Sequence, residues 1–251
     1  MKSTQIEFVI FSLNECNLLA EAAESLRGFG LTVSVFADSR TRPEELEILR
    51  DRQIPFRVVD NSAAIPEGMF VPMFKQVKSE WAFLLNVDEW PSPELVESVI
   101  REVSQVPDTV NVMGIPRKWL RFSDSGRLEY SRFPMLWKGD YQWRVLRHRN
   151  LTYRAVIHTP GFVLDPSASI KLPRGNTVFH FDWIVHSLNT RKRKLRRYFQ
   201  LSPPSARRFA DIYLPENRPW AHFFKGLKND EVVAIARRLQ AASSDGSWVD
   251  E

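Results

Sequence analysis

Cysteine is nearly absent from this sequence, with Cys16 as the single one in 251 residues. The chain therefore cannot form an internal disulfide, which fits a reducing compartment. Long apolar runs are also absent, since none approaches the roughly 20 residues that span a bilayer. The first residues lead directly into a predicted strand and do not resemble a signal peptide. These absences together predict a cytoplasmic protein without a membrane span.

The sequence also lacks internal repeats and low-complexity segments, so nothing indicates a repeat architecture. What is present is the composition of a soluble globular protein, with 43% hydrophobic and 26% charged residues. The length suffices for one large domain, or for one domain with an elaborated C-terminal part. A net charge of +5 allows an anionic partner, such as a nucleotide, a phosphate-bearing glycan, a membrane surface or a nucleic acid.

Strands and helices alternate through the first part of the chain. Apolar runs predict strands at 6–11, 31–37, 55–59 and 81–86, and periodic stripes predict helices at 14–27, 44–52, 68–78 and 93–106. Asn14 is the expected cap of the first helix. Later strands are predicted at 110–116, 153–157 and 177–182, and the pattern from 187 onward is helical. The alternation predicts an α/β fold with a mostly parallel sheet.

An acidic tip, Asn86-Val-Asp88-Glu89, follows the fourth predicted strand. A helix begins directly after it, with Ser92 suited to the N-cap and Pro93 to the first helical position. Carboxylates at the C-terminal end of such a strand lie where open α/β sheets bind ligands. Two adjacent acids there can hold a divalent cation against a diphosphate. The alternative is a solvated acidic turn without a function.

Six motifs in a fixed order give the chain a resemblance to a known family. They are Asn14-Glu15 after the first strand, Asp38-Ser39 after the second, Leu85-Asn-Val-Asp88-Glu89, Gln142-x-Arg144, a segment from Tyr153 to His158-Thr159, and His180 followed by the basic segment 192–198. In this respect the chain resembles family 2 glycosyltransferases of the GT-A fold, close to the branch that builds lipopolysaccharide cores. The resemblance implies a Rossmann-like mixed sheet flanked by helices.

The resemblance also implies a chemistry, namely inverting transfer of a sugar from a nucleotide-sugar donor. It implies donor contacts from Asn14, Glu15, Asp38, Asn86, Arg144 and Lys192. It implies a Mg²⁺ or Mn²⁺ ion on Asp88 and His158, since a metal ion stabilises the charge that develops on the diphosphate. The alternatives are an ion pair for Arg144 and a buried structural role for His158 and His180.

The general base is the least determined of the implied residues. Family members have a Glu where this chain has Thr159, and an acid where it has Asn86. Glu89 and Asp140 are therefore the candidate catalytic bases, since an acceptor hydroxyl must lose its proton as it attacks. The alternative is a scaffold that has lost catalysis and binds a glycan or, less favoured, a nucleic acid.

Domain and partner expectations follow from the same resemblance. A glycosyltransferase domain is expected over 1–185, with a nucleotide-sugar part at 1–107, an acceptor part at 108–185, and a C-terminal helical extension at 186–251. The expected acceptor is a glycan or a lipid-linked glycan. The segment 191–198 carries six cations in eight residues, which fits a solvated face, an anionic membrane surface or phosphate binding.

Overall fold

The computed structural model describes residues 5–61, 63, 65–132, 140–156, 159–217 and 223–243. Its strands are β1 (Ile6–Ser12), β2 (Val33–Asp38), β3 (Arg57–Val59), β4 (Trp81–Asn86), β5 (Glu89–Pro91), β6 (Val112–Phe122), β7 (Leu128–Ser131), β8 (Asp140–Leu146), β9 (Ser169–Lys171), β10 (Val178–His180) and β11 (Phe224–Gly226). Its helices are α1 (Cys16–Arg27), α2 (Pro43–Asp51), α3 (Phe70–Phe74), α4 (Pro93–Gln105), α5 (Asp182–Val185), α6 (Leu188–Leu201), α7 (Pro203–Tyr213) and α8 (Asp230–Ala242).

One mixed sheet runs through the molecule, in the order β11-β7-β6-β8-β4-β1-β2-β3. The half made of β4, β1, β2 and β3 is parallel, as the alternating pattern predicts. The other half is largely antiparallel, with β8 joining β4 to β6. The predicted α/β class with a mixed sheet flanked by helices is therefore confirmed.

The core lies between the sheet and the apolar faces of its helices. All seven residues of β1 are buried, because helices cover both faces of a parallel sheet. The predicted stripe of α1 is buried as well, including Leu18, Leu19, Ala22 and Leu26. Cys16 lies in the same core, where burial raises the pKa of its thiol to about 12. The thiol is therefore a packed apolar group and not a reactive one.

The caps of two helices test the local predictions. Ser92 caps α4 as predicted, since its side chain accepts a hydrogen bond from the backbone N–H of Leu95. The prediction of Asn14 as a helix cap is wrong, because Glu15 occupies the N-cap position of α1. Asn14 has a φ of 54°, and its Oδ1 accepts a 2.8 Å hydrogen bond from the N–H of Arg42 at the start of α2. Asn14 therefore links the loop after β1 to the loop before α2.

Three predicted elements are shorter than expected. The third helix is only α3, preceded by a 3₁₀ turn at Pro66–Met69. The strand predicted at 153–157 is a single bridge between Tyr153 and Phe162, and residue 157 lies outside the described part. The strand predicted to reach Asp182 ends at His180, because the N–H of Phe181 bonds the carbonyl oxygen of Asp88 at 2.8 Å and the chain turns into α5.

The C-terminal region is built into the main body of the fold. It is not entirely helical as predicted, since β11 adds an antiparallel edge to β7. Buried side chains of α8, such as Val232 and Leu239, belong to the same core cluster as β1 and α1. Residues on both sides of the predicted boundary near 185 thus share one core. No described helix is long and apolar enough to cross a membrane.

Candidate active site

A cleft of about 650 Å³ opens where β1, β2 and β4 end. The parallel register places Phe11 of β1 opposite Asn86 of β4, so the loops after these strands meet at one edge. Six of the predicted site residues line the cleft: Glu15, Asp38, Asn86, Asp88, Asp140 and Arg144. Asn14, Glu89 and Lys192 are not among the lining residues. The predicted metal ligand His158 lies outside the described residues.

Asp38 ends β2 on one wall of this cleft. Its carboxylate accepts two hydrogen bonds from the Arg40 side chain, at 3.0 and 2.7 Å, and one from Asn61 Nδ2 at 2.6 Å. Burial opposes the charged form, but the hydrogen bonds from Arg40 and Asn61 hold the pKa of Asp38 below its ordinary value. Asp38 is therefore an ionised, fixed carboxylate. The buried Oδ1 of Asn61, also at the cleft, has no hydrogen-bond partner among the described residues.

Asp88 follows β4 at the centre of the cleft. Its Oδ2 lies 3.1 Å from Nε2 of His180. The ring of His180 packs edge-on against Trp119, with 4.1 Å between the ring centroids. Burial disfavours its charge, yet His180 and Lys194 hold the pKa of Asp88 well below its usual range. The acidic tip is thus a buried and ionised site, and the alternative of a solvated acidic turn is wrong for Asp88.

A chain of ionic contacts continues from this point through α5 and α6. His186 lies between two carboxylates, with Nδ1 at 2.9 Å from Asp182 Oδ1 and Nε2 at 2.8 Å from Glu15 Oε1. Lys194 Nζ donates to the same Oδ1 of Asp182 at 2.9 Å. Burial would lower the pKa of His186, but Asp182 and Glu15 raise it to about 10. The imidazole is therefore protonated at neutral pH.

This network includes a geometry suited to a metal ion. Asp88, Asp182 and His186 each offer one ligand atom, and these atoms lie within 4.8 Å of one another. The second carboxylate oxygen of Asp182 is buried and has no hydrogen-bond partner among the described residues. Carboxylate oxygens are usual ligands of divalent cations, and His186 would join them only after losing the proton that Asp182 and Glu15 stabilise. Asp88 was predicted from the sequence and His186 was not, because the signal for His186 was only its position six residues after His180.

Glu89 belongs to a separate ion-pair cluster. Its Oε1 is 2.9 Å from Arg144 Nη2 and 3.2 Å from Arg117 Nη1, and its Oε2 accepts from the N–H of Asn86. Burial disfavours its charge, but Arg144 and Arg117 hold the pKa of Glu89 below its ordinary value. The side chain is fully buried and does not line the cleft. Its contacts are those of a structural ion pair.

Asp140 begins β8 on the opposite wall of the cleft. It accepts hydrogen bonds from Arg117 Nε at 2.7 Å, Trp119 Nε1 at 2.9 Å and Gln142 Nε2 at 2.7 Å. Burial alone would raise its pKa, but Arg117, with Trp119 and Gln142, lowers it. Arg144 lies beside it at the cleft, and its buried Nε has no hydrogen-bond partner among the described residues. Arg144 therefore forms the ion pair that was expected as an alternative, with Glu89, and it also lines the cleft.

The basic helix α6 divides its cations between the cleft and the outside. Lys194 and Arg197 line the cleft, whereas Arg191 is buried and donates to the carbonyl oxygen of Tyr213 at 2.8 Å. Lys192, predicted to bind the donor, is exposed, as is Arg196. Lys194, and not Lys192, is therefore the lysine of this helix that lines the cleft.

Comparisons with known proteins give only distant similarity. No family model and no curated protein matches the sequence. A crystal structure of residues 1–349 of S. aureus TarS aligns with 45% of this chain and 36% of that chain, at 15% sequence identity and a TM-score of 0.36. The glucosyl-3-phosphoglycerate synthase from Mycobacterium tuberculosis, in complex with Mg²⁺ and uridine diphosphate, aligns with 45% of this chain and 43% of that chain, at 12% identity and a TM-score of 0.34. This chain thus spans less than half the length of either structure.

Proposed function

We propose that this protein is an inverting glycosyltransferase that moves a sugar from a nucleoside-diphosphate sugar to a glycan or lipid-linked glycan acceptor. The observation that carries the proposal is one cleft lined by cations and by three ionised carboxylates, namely Asp38 at the end of β2, Asp88 after β4 and Asp140 at the start of β8. Open α/β sheets bind ligands at the C-terminal ends of their strands. The proposed pathway is cell-surface polysaccharide or lipopolysaccharide biosynthesis.

The wall formed by Asp38 and Asn61 fits the nucleoside. Asp38 fixes the amide of Asn61 through the 2.6 Å hydrogen bond, and Asn61, which lines the cleft, has a buried Oδ1 without a hydrogen-bond partner among the described residues. A ribose hydroxyl or a base N–H would satisfy this buried oxygen, whose isolation otherwise costs about 1–3 kcal/mol. Asp38 is on this account a positioning residue for the contact that its neighbour makes.

The centre of the cleft fits the diphosphate. The carboxylates of Asp88 and Asp182 fit a divalent cation, because their oxygens lie close together and one buried oxygen of Asp182 has no hydrogen-bond partner among the described residues. Such an ion would stabilise the negative charge that develops on the leaving diphosphate. Asp88 and Asp182 are held ionised by their neighbours, so both carboxylates carry a charge that a cation can bind. Lys194 adds a cation at the same place.

Asp140 is the candidate general base in this proposal. Of the two carboxylates that the sequence analysis named, it lines the cleft and Glu89 does not. Its hydrogen bonds to Arg117, Trp119 and Gln142 fix the orientation of the carboxylate toward an acceptor hydroxyl. Those bonds also lower its pKa, and in the proposed reaction Asp140 takes the proton of the acceptor hydroxyl as that hydroxyl attacks the sugar.

One observation favours a second function, a glycan-binding protein without catalysis. Both candidate bases are held by arginine, and the lowered pKa values make them weak proton acceptors. A binding protein needs the cleft but neither a base nor a diphosphate site. The two functions differ in whether a nucleoside diphosphate binds.

A thermal-shift series tests the proposal. We expect one class of nucleoside-diphosphate sugar, at about 100 times its Kd, to stabilise the protein by about 2.7 kcal/mol, which is roughly 5–10 °C for a chain of this size. The matched control is the corresponding nucleoside, which lacks the diphosphate and should give a much smaller shift. If uridine, guanosine and cytidine derivatives all leave the melting temperature unchanged with and without Mn²⁺, the proposed function is wrong.

A further inference from the structure

Lys194 is a partly buried lysine on the second turn of α6, whose other lysine, Lys192, is exposed. Its side chain is 13% exposed, and it lines the cleft. Three residues earlier, Arg191 fixes the helix through hydrogen bonds to the carbonyl oxygen of Tyr213 and to Glu216. The backbone that carries Lys194 is therefore anchored, and its ammonium is positioned by the fold.

The ammonium of Lys194 contacts one of the two carboxylates at which a divalent cation would bind. Nζ lies 2.9 Å from Oδ1 of Asp182. Asp182 is fully buried, and the neighbouring Asp88 is nearly so. Asp88 and Asp182 are both in the group of possible metal ligands. A cation and an ammonium at one carboxylate repel each other at short range, so the two compete.

The position also suits direct contact with a phosphate. An ammonium carries three N–H donors and one compact charge, and lysine is a frequent binder of phosphate oxygens. Asp182 and also Asp88, the residue predicted to bind the diphosphate, raise the pKa of Lys194 through their negative charges, against the effect of burial. The positive charge that would contact the diphosphate is therefore the ammonium of Lys194, a side chain of the protein.

We infer that Lys194 is the fixed cation of the diphosphate subsite: it binds the diphosphate of the donor without a divalent cation and weakens the binding of such a cation to Asp88 and Asp182. This inference rests on the proposed function for the identity of the ligand. It adds the residue that makes the contact and predicts that a divalent metal assists binding but is not required for it.

The test uses inorganic pyrophosphate and Mn²⁺ as separate ligands in calorimetric titrations. Wild-type protein should bind pyrophosphate in the presence of EDTA, and Lys194→Met should weaken that binding about 10- to 100-fold, the range for losing a charged hydrogen bond. With Mn²⁺ alone, Lys194→Met should bind the ion about tenfold more tightly or better. Lys192→Met is the matched control, since it makes the same change on the exposed side of the same helix, and it should alter neither affinity.

A second variant keeps the test valid if Lys194→Met alone unfolds. Asp182→Asn combined with Lys194→Met removes the charge of both members of the 2.9 Å ion pair, so neither is left without its partner. It should fold and still fail to bind pyrophosphate in EDTA. Binding of pyrophosphate to this double variant at wild-type affinity would overturn the inference.

The outcomes separate the inference from the proposed function. If wild-type protein binds pyrophosphate only when Mn²⁺ is added, the role of Lys194 is wrong while the proposed function stands. An unchanged Mn²⁺ affinity in Lys194→Met would also contradict the competition. If wild-type protein binds pyrophosphate under neither condition, the proposed function itself fails.

Discussion

Asp88→Asn is expected to lower the rate of sugar transfer by about 10³-fold while the fold is retained. The substitution keeps the size of the side chain and removes the charge that lies 3.1 Å from His180. Electrostatic stabilisation of a developing charge by a bound metal is worth several kcal/mol, and about 4 kcal/mol corresponds to 10³ in rate. The measurement is release of nucleoside diphosphate from the donor class found by thermal shift, in the presence of Mn²⁺.

Asp124→Asn is the control for this result. Asp124 is exposed in the turn between β6 and β7, so the same chemical change there should leave the rate unchanged. The melting temperature of both variants establishes that they are folded. A folded Asp88→Asn protein with wild-type turnover would show that Asp88 holds neither the diphosphate nor a cation, and the proposed site would be wrong.

Glu89→Gln is expected to destabilise the protein by about 3–5 kcal/mol, the usual cost of removing one partner from a buried ion pair. The change removes the buried negative charge that offsets the positive charges of Arg117 and Arg144. Their Nη1 and Nη2 atoms lie 3.2 and 2.9 Å from Glu89 Oε1. Urea denaturation measures the free energy of unfolding of both proteins. This result would identify Glu89 as a positioning residue for two arginines and not as the general base.

The pH dependence of this difference has a definite sign. The folded-state pKa of Glu89 is lowered from 4.5, so the ion pair stabilises the protein above about pH 4.5 and less as the pH falls through the folded-state value. The gap between wild type and Glu89→Gln should therefore be full at neutral pH and shrink in acid.

Glu129→Gln is the matched control for the stability loss. Glu129 pairs with Arg121 at 3.1 Å, but the arginine side chain is 40% exposed, and exposed pairs contribute no more than about 1 kcal/mol. Equal destabilisation by the two substitutions would contradict the distinction between buried and exposed pairs. Wild-type stability in Glu89→Gln together with lost transfer would instead return Glu89 to the role of base.

The sequence predicts the parallel half of the sheet well because its signals are local. The strand at 81–86 is found with the same bounds, and Ser92 caps the following helix as its position before Pro93 indicates. These features depend on neighbours within four or five residues. The apolar periodicity of a segment and the start of a helix can therefore be recognised without knowledge of the tertiary fold.

The site was harder to predict because its residues meet through long-range contacts. Asp182, His186 and Lys194 reach Asp88 because α5 begins where Phe181 bonds the carbonyl oxygen of Asp88. No spacing in the sequence indicates that hydrogen bond. The surroundings of the three candidates in the acidic tip could not be predicted either, since Asp88 lines the cleft whereas the next residue, Glu89, packs against Arg117 and Arg144.

The same limit applies to the basic helix. Its composition indicates cations but does not show which of them the fold buries. Packing of α6 against α7 settles this, because Leu195 and Tyr198 join the cluster that includes Leu214. That packing leaves Lys192 exposed and places Lys194 at the cleft.

Detection of the nucleoside diphosphate released from a panel of nucleotide sugars tests the central claim most directly. Wild-type protein with Mn²⁺ should release the nucleoside diphosphate from one donor class, to water or to an added glycan, and Asp88→Asn should not. Tight binding of a glycan without release from any donor, and without a thermal shift by any nucleoside diphosphate, would contradict the account.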